Sequence, residues 1–437
     1  MRNNIVPVGS HELRYEIREI VNVGNTLQDM GLDICWENIG DPVQKGEKIP
    51  LWIKEAIKKT VDEDSSFAYS PTKGLEQTRE FLANLCNKRK RDGVQITKED
   101  IIFFNGIGDA ISKLYTYLKR EARVIGPSPA YSTHSSGEAA HAEKDPIMYR
   151  LDVNNHWFPD LEDLRFNVQN NETISGILVI NPNNPVGAVY PKEVMEKIVS
   201  IAEEFDLFIL CDEIYLNIIY NGKTSTPLSD VINNVCGISM KGISKELPWP
   251  GARCGWIEIY NKEKDPVFKE YIHTILNAKM LEVCSTTLPQ HVIPLLLSDE
   301  RYKKHTDERN KMYEKKSRFA FETLQDVNGI IVNQTDGAFY MTVVFKDGVL
   351  NERQKLEIDN NTIKSYIEEI TQNVELDKRF VYYLLGATGI CVVPLTGFCC
   401  HLHGFRITLL ETDNNKFEWI FRTVATKIEE YLSSRET

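Results

Sequence analysis

The chain has no run of about twenty apolar residues, the length a membrane-spanning helix needs. It has no internal repeat and no low-complexity linker. Its first residues, Met1-Arg2-Asn3-Asn4-Ile5-Val6-Pro7, lack the apolar core of a secretory signal. Basic charge is also short: 51 Lys and Arg stand against 63 Asp and Glu, a net −12, which argues against nucleic acid as the main partner. The nine cysteines are odd in number and irregularly spaced, with no CxxC pair, so no disulfide framework and no metal site is predicted. Adjacent Cys399 and Cys400 are the one pair that could ligate a metal or cycle between redox states, and no second cluster supports them. Most of the cysteines sit among apolar residues and read as small core fillers in a reducing compartment. These absences leave a cytoplasmic, globular protein of 437 residues, enough for two domains or one large domain with a satellite.

What is present is a set of polar clusters, each at the end of an apolar run. Lys245 stands in Gly242-Ile243-Ser244-Lys245, just after Val235–Met240. A desolvated ammonium is strongly disfavoured, so a lysine at a buried strand end needs a purpose. Asn181-Pro182-Asn183-Asn184-Pro185-Val186-Gly187 follows Gly176–Ile180, and Asp212-Glu213-Ile214-Tyr215 follows Leu207–Cys211. An amide, a carboxylate, a phenol and an amine at one sheet edge would surround a planar ionisable cofactor. That combination points to pyridoxal phosphate, with Lys245 as the Schiff-base lysine and Asp212 as partner of the pyridinium nitrogen.

From residue 101 to about 260, strand-like runs (101–104, 123–126, 176–180, 207–211, 235–240, 254–259) alternate with helical patterns, most clearly 107–119 and 191–205. This rhythm predicts an α/β fold, a mostly parallel sheet covered by helices on both faces. Upstream, 11–34 fits one or two short helices, and 51–61 and 75–91 read as helices. Downstream, helices over about 299–326 and 359–387 bracket a strand at 337–345. A strand at 404–409 and a helix at 414–433 complete a smaller α+β domain. The charged stretch 346–361 reads as a surface excursion. The expected division is an arm at 1–50, a large domain at 51–295 and a small domain at 296–437.

Open parallel sheets bind ligands beyond the carboxyl ends of their strands. Asn105-Gly106-Ile107-Gly108-Asp109-Ala110 is either a phosphate cradle at a helix start or a plain turn. Tyr131, in Ser128-Pro129-Ala130-Tyr131, either stacks on a cofactor ring or fills the core. For Asp212 the competing role is a helix N-cap. Tyr215 and Asn184 could reach the cofactor's phenolic oxygen. Arg253, eight residues after Lys245, suits a phosphate. Arg406 lies inside an apolar strand, where it holds either a substrate carboxylate or one half of a structural salt bridge.

Together these clusters resemble the class I/II aminotransferases, the fold-type I pyridoxal-phosphate enzymes, over residues 13–411. The most specific parts are NPNNPVG (181–187), DEIY (212–215), and Ser244-Lys245 with Arg253. Trp157–Leu161, Gly187–Tyr190 and Tyr69–Gly74 resemble the bacterial alanine (glutamate–pyruvate) branch most. The resemblance implies that Gly106, Ile107, Gly108, Ser244 and Arg253 hold the phosphate, and that Tyr131 stacks on the ring. It implies that Arg406, with Gly40 and Asn184, takes the substrate carboxylate. It further implies a homodimer in which Tyr69 reaches the neighbouring subunit's phosphate. The sequence departs from the family's pattern at Gly242, Ser132, Val186 and Leu395, which bears on substrate preference.

The implied reaction moves an amino group between an amino acid and a 2-oxo acid, with Lys245 as proton shuttle. Glutamate with pyruvate is the expected pair; aspartate or an aromatic amino acid is the next choice. Two further readings stay open: a carbon–sulfur β-lyase on the same scaffold, and a non-catalytic cofactor-binding regulatory module. No second arginine is evident for a distal carboxylate. Lys279 stands where the partner could supply one, and otherwise reads as a surface lysine.

Overall fold

Alternate residues of the central strands bury against two different cores, so these strands carry apolar side chains on both faces. Ile177, Val179, Ile209 and Cys211 join one core; Leu178, Ile180, Leu210, Ile238 and Met240 join the other. Each fully buried aliphatic side chain of this kind contributes about 1.5–3 kcal/mol. The computed structural model describes residues 5–13, 16–89 and 93–434.

The main sheet has eight strands. In spatial order they are Ile101–Phe104, Gly255–Tyr260, Gly237–Gly242, Phe208–Asp212, Ile174–Ile180, Arg123–Ser128, Met148–Asp152 and Phe158–Pro159. The five strands from Gly237–Gly242 to Met148–Asp152 pair in parallel; the outer pairings are antiparallel. Helices Ile107–Thr116 and Pro266–Glu282 cover one face through Ile111, Leu114, Phe268 and Ile272. Helices Glu76–Arg89, Leu161–Asn170, Lys192–Glu204 and Thr287–Leu297 cover the other. The alternation read from 101–260 therefore places its strands and covering helices as expected. The last two strands at this end of the sheet, Met148–Asp152 and Phe158–Pro159, carry weaker patterns and were not anticipated.

A four-stranded antiparallel sheet orders Ile330–Val332, Tyr340–Phe345, Gly404–Thr408 and Val393–Pro394. Helices Glu300–Leu324 and Asn414–Ser433 accompany it. Cys35–Trp36 pairs in parallel with Ile390–Cys391, which ties the N-terminal segment to this unit.

Two expectations are corrected. The helix expected over 359–387 is two helices, Asn361–Ile370 and Leu376–Thr388. Asn373 adopts φ 59° between them, and Arg379 donates to the Thr371 carbonyl at 3.0 Å. The break turns Phe380, Val381, Leu384 and Leu385 into the core. The 346–361 stretch is anchored rather than purely superficial, because Gln354, Leu356 and Ile358 are buried. Among the described residues no helix is long and apolar enough to cross a membrane, and no group of three or more His, Cys, Asp or Glu could hold a metal ion.

Candidate active site

The carboxyl ends of the parallel strands open into a cavity of about 530 Å³. Gly40, Ile107, Gly108, Tyr131, Asn184, Asp212, Tyr215, Ser244, Lys245, Arg253 and Arg406 all line it. The structure thus brings together eleven of the thirteen anticipated residues. Gly106 lies one residue behind the lining, at the helix N-cap. Tyr69 lies outside the cavity and is 85% exposed.

Asp212 closes its strand and is buried. Its Oδ1 accepts from the Ile214 amide at 3.1 Å, and its Oδ2 lies 3.2 Å from His134 Nε2. His134 Nδ1 in turn lies 3.4 Å from the Tyr115 hydroxyl. His134 comes from the helix Ser132–Ala142, one turn beyond Tyr131, whose ring meets it edge-on at 6.4 Å.

Lys245 follows the strand Gly237–Gly242 by three residues. Its Nζ donates to the Gly40 carbonyl at 2.6 Å. Burial pushes the amine down to about 8; Asp41 and Asp212 oppose that shift, and Arg406 and Arg253 add to it. Tyr215 donates to the Tyr340 hydroxyl at 3.1 Å, and burial pushes its phenol well up.

The helix Ile107–Thr116 starts at Gly106, with φ 85° and no side-chain cap bond. Its first amides therefore have no capping oxygen from the preceding residue, a setting that favours an anion. Arg253, at φ 46°, packs over this turn: a Cβ on Gly106 would sit 2.5 Å from Arg253 Nη2. The positive φ strains any side chain at position 106, and one there would also displace the Arg253 guanidinium.

Arg406 is 1% exposed, on the strand Gly404–Thr408. Its guanidinium lies between the rings of Tyr340 (4.4 Å) and Phe398 (5.0 Å). Nη1 donates to Asn184 Oδ1 at 3.1 Å and Nη2 to the Asn38 carbonyl at 2.5 Å. Nε is buried without a hydrogen-bond partner. The reading of Arg406 as one half of a structural salt bridge is overturned, since its partners are an amide and a carbonyl.

Ten further lining residues were not among those anticipated, and five of them are polar: Arg18, Asn38, Asp41, Gln44 and Tyr340. Arg18, on the helix Glu16–Asp29, joins Arg253 and Arg406 at the cavity, where no arginine for a distal carboxylate was evident from sequence. Lys279 is corrected too. It is fully buried outside the lining, with Nζ 2.8 Å from Ser285 Oγ and 3.1 Å from Glu282. Gly242 sits where a Cβ would come within 3.0 Å of the Cys254 carbonyl, so a hydroxyl side chain has little room there. A second cavity, about 590 Å³, lies over the ion-paired Lys241, Glu213 and Glu258, and shares no lining residue with the first.

The family model described as aminotransferase class I and II matches residues 37–417. An uncharacterised aminotransferase of Methanocaldococcus jannaschii is 59% identical over 434 residues, covering 99% of this chain and 100% of its own. The glutamate–pyruvate aminotransferase AlaA of Escherichia coli is 29% identical over 356 residues, covering 79% of this chain and 84% of its own. Among solved structures, the alanine aminotransferase of Pyrococcus furiosus superposes with a TM-score of 0.82 at 26% identity, over 98% of this chain and 99% of its own.

Proposed function

The chain belongs to the class I and II aminotransferase family and is an aminotransferase; from that premise we propose that it exchanges amino groups between glutamate or alanine and pyruvate or 2-oxoglutarate, on pyridoxal 5'-phosphate held at Lys245. The observation that carries this reading is the Lys245 amine, lowered to about 8, in one cavity with the Asp212 carboxylate and the uncapped helix start.

The residues fit the cofactor. The amides of Ile107 and Gly108, the Ser244 hydroxyl and the Arg253 guanidinium would hold the phosphate. Asp212, backed by His134, would keep a proton on the ring nitrogen. Tyr131 would stack on the ring; Tyr215 and Asn184 would contact its phenolic oxygen. When bound, pyridoxal phosphate supplies an electron-withdrawing ring that stabilises negative charge at the substrate α-carbon.

The chain's own residues do the rest. Arg406 binds the α-carboxylate, and its unpartnered Nε–H is a donor still to be satisfied. The Tyr340 and Phe398 rings hold the guanidinium plane before substrate arrives. Lys245 Nζ would take the proton from the substrate α-carbon and return it to the carbon on the far side of the amino nitrogen. With its lowered pKa, roughly a tenth of the amine is neutral at pH 7, against well under a thousandth for an ordinary lysine. Arg18 suits the distal carboxylate of glutamate and 2-oxoglutarate, which favours that pair; the name of AlaA supports glutamate and pyruvate, and that of the Pyrococcus structure supports alanine. Tyr69 would complete the phosphate site of a second copy, in a homodimer.

An absorbance titration between 300 and 500 nm tests the proposal. L-glutamate should shift the visible cofactor band to shorter wavelength, and pyruvate should restore it. A band that neither glutamate nor alanine moves would exclude this pair. Pyruvate and ammonia released from cysteine or cystathionine without an acceptor would establish the β-lyase instead.

A further inference from the structure

Behind the Lys245 segment lies Arg309, on the helix Glu300–Leu324, 7% exposed. A guanidinium has five N–H bonds, and here each meets an acceptor. Nε donates to Glu47 Oε1 at 2.6 Å. Nη2 donates to Glu47 Oε2 and to the Tyr313 hydroxyl, both at 3.1 Å. Nη1 donates to the carbonyls of Lys245 at 3.0 Å and Glu246 at 2.9 Å. Glu47 ends the strap, residues 37–47, that brings Gly40 and Asp41 to the cavity. Lys245 Nζ reaches back to the Gly40 carbonyl at 2.6 Å. Strap and lysine segment are therefore joined twice, behind through Arg309 and in front through the amine itself. The next residue, Asn310, donates to the Asn217 carbonyl at 3.0 Å, and Asn217 donates to Glu246 Oε2 at 2.7 Å. One turn of this helix holds the strap, the lysine segment and the stretch after Tyr215.

We propose that Arg309 is a positioning residue: by tying the Lys245 and Glu246 carbonyls to Glu47, it sets the reach of the Lys245 amine and keeps the strap closed over the cavity. The inference rests on the reading of Lys245 as the reactive amine. Lysine cannot replace Arg309, because a point ammonium with three donors cannot serve a bidentate carboxylate and two carbonyls together. Loss of the guanidinium leaves a half-buried carboxylate and two carbonyls without their donor.

A purely structural role would lower stability and leave the amine unchanged. A positioning role changes the amine's titration. The charged groups around Nζ are Asp41 on the strap, Asp212 at its strand end, Arg253, and Arg406 on the small sheet; burial outweighs all of them. The cavity also holds the Arg18 guanidinium and the phenols of Tyr131, Tyr215 and Tyr340, and the Phe339 ring centroid lies 5.8 Å from Nζ. Opening the strap admits water, weakens the burial effect and moves the titration up toward the ordinary lysine value.

The test is competitive acylation with acetic anhydride across a pH series, on the full chain cleared of co-purified cofactor. Mass spectrometry quantifies the Lys245 peptide against that of Lys303, whose side chain is 82% exposed. Arg309→Lys and Glu47→Gln are compared with the parent protein, and kcat and KM are measured after cofactor is restored. The expected result is a Lys245 midpoint raised by about one pH unit in both variants. Turnover should fall ~10²-fold, with KM changed less than about threefold. A parental midpoint and parental kcat in folded variants would overturn the proposal. If Arg309→Lys does not fold, the isosteric Glu47→Gln decides alone. Turnover surviving in Lys245→Ala would instead overturn the underlying reading of Lys245, whatever the acylation shows.

Discussion

At the scale of single residues, the site depends on one contact without slack. A Cβ on Gly40 would stand 1.9 Å from the Tyr340 hydroxyl. That hydroxyl accepts from Tyr215, and its ring faces Arg406. Gly40→Ala should therefore disturb two binding groups at once and lower kcat/KM ~10²-fold, about 2.7 kcal/mol, with an unchanged circular dichroism spectrum. Arg406→Lys keeps the charge and loses the planar fork between the two rings. The KM for both amino acid and oxo acid should rise at least ~10-fold in steady-state assays. Lys245 carries a pH signature as well. Its folded-state pKa lies below the unfolded value, so the unfolded chain binds more protons between about 8 and 10.5. Burial of the amine thus destabilises the cofactor-free fold fully below pH 8, and the penalty fades as pH rises to 10.5. Lys245→Met should raise the melting temperature at pH 7 and lose that advantage above pH 10.5, as scanning calorimetry can check. Lys245, Asp212 and Arg406 were legible in the sequence because a charge within or beside an apolar run is costly without a partner. Tyr340 and His134 were not. A tyrosine at the start of a wholly buried strand reads as core, and a histidine one helical turn past Tyr131 carries no mark of the carboxylate it meets in space.

At the scale of elements, the β–α alternation of 101–260 was readable because strand runs and helix patterns differ in period. The same logic failed over 359–387, where two consecutive helices share one period and the break is a local backbone event. Asn373 tolerates φ 59° better than most residues, through its short polar side chain. Asn373→Gly should change stability by less than about 0.5 kcal/mol, while Asn373→Ala should cost about 1 kcal/mol in urea unfolding. Equal losses in both would show that the left-handed turn is not what shapes the break. The buried Gln354, Leu356 and Ile358 were hidden for a related reason: three anchors among many charges leave the average polarity of a loop.

At the scale of the whole molecule, Phe67 (74%), Tyr69 (85%) and Leu281 (89%) are exposed to an extent unusual for large apolar side chains. The proposed homodimer gives them a partner. If Tyr69 serves the other subunit's site, Tyr69→Ala and Lys245→Ala proteins, each inactive, should recover up to about a quarter of parental activity after being mixed, unfolded and refolded together, since half the dimers are hybrids with one intact site. No recovery in dimers verified by ultracentrifugation would place Tyr69 outside any shared site.

The bond from Arg406 to the Asn38 carbonyl spans 368 residues of chain. A nascent polypeptide therefore carries the proposed phosphate cradle, Gly106 to Arg253, long before the proposed carboxylate grip exists. Until the last strand leaves the ribosome, the strap near residue 40 has no sheet to lie against and the entrance has no second wall. Closing so long a loop is a slow, late event. On the proposed roles, synthesis thus sets an order of acquisition: the phosphate site comes first, and the grip on the substrate α-carboxylate arrives only with the final tenth of the protein.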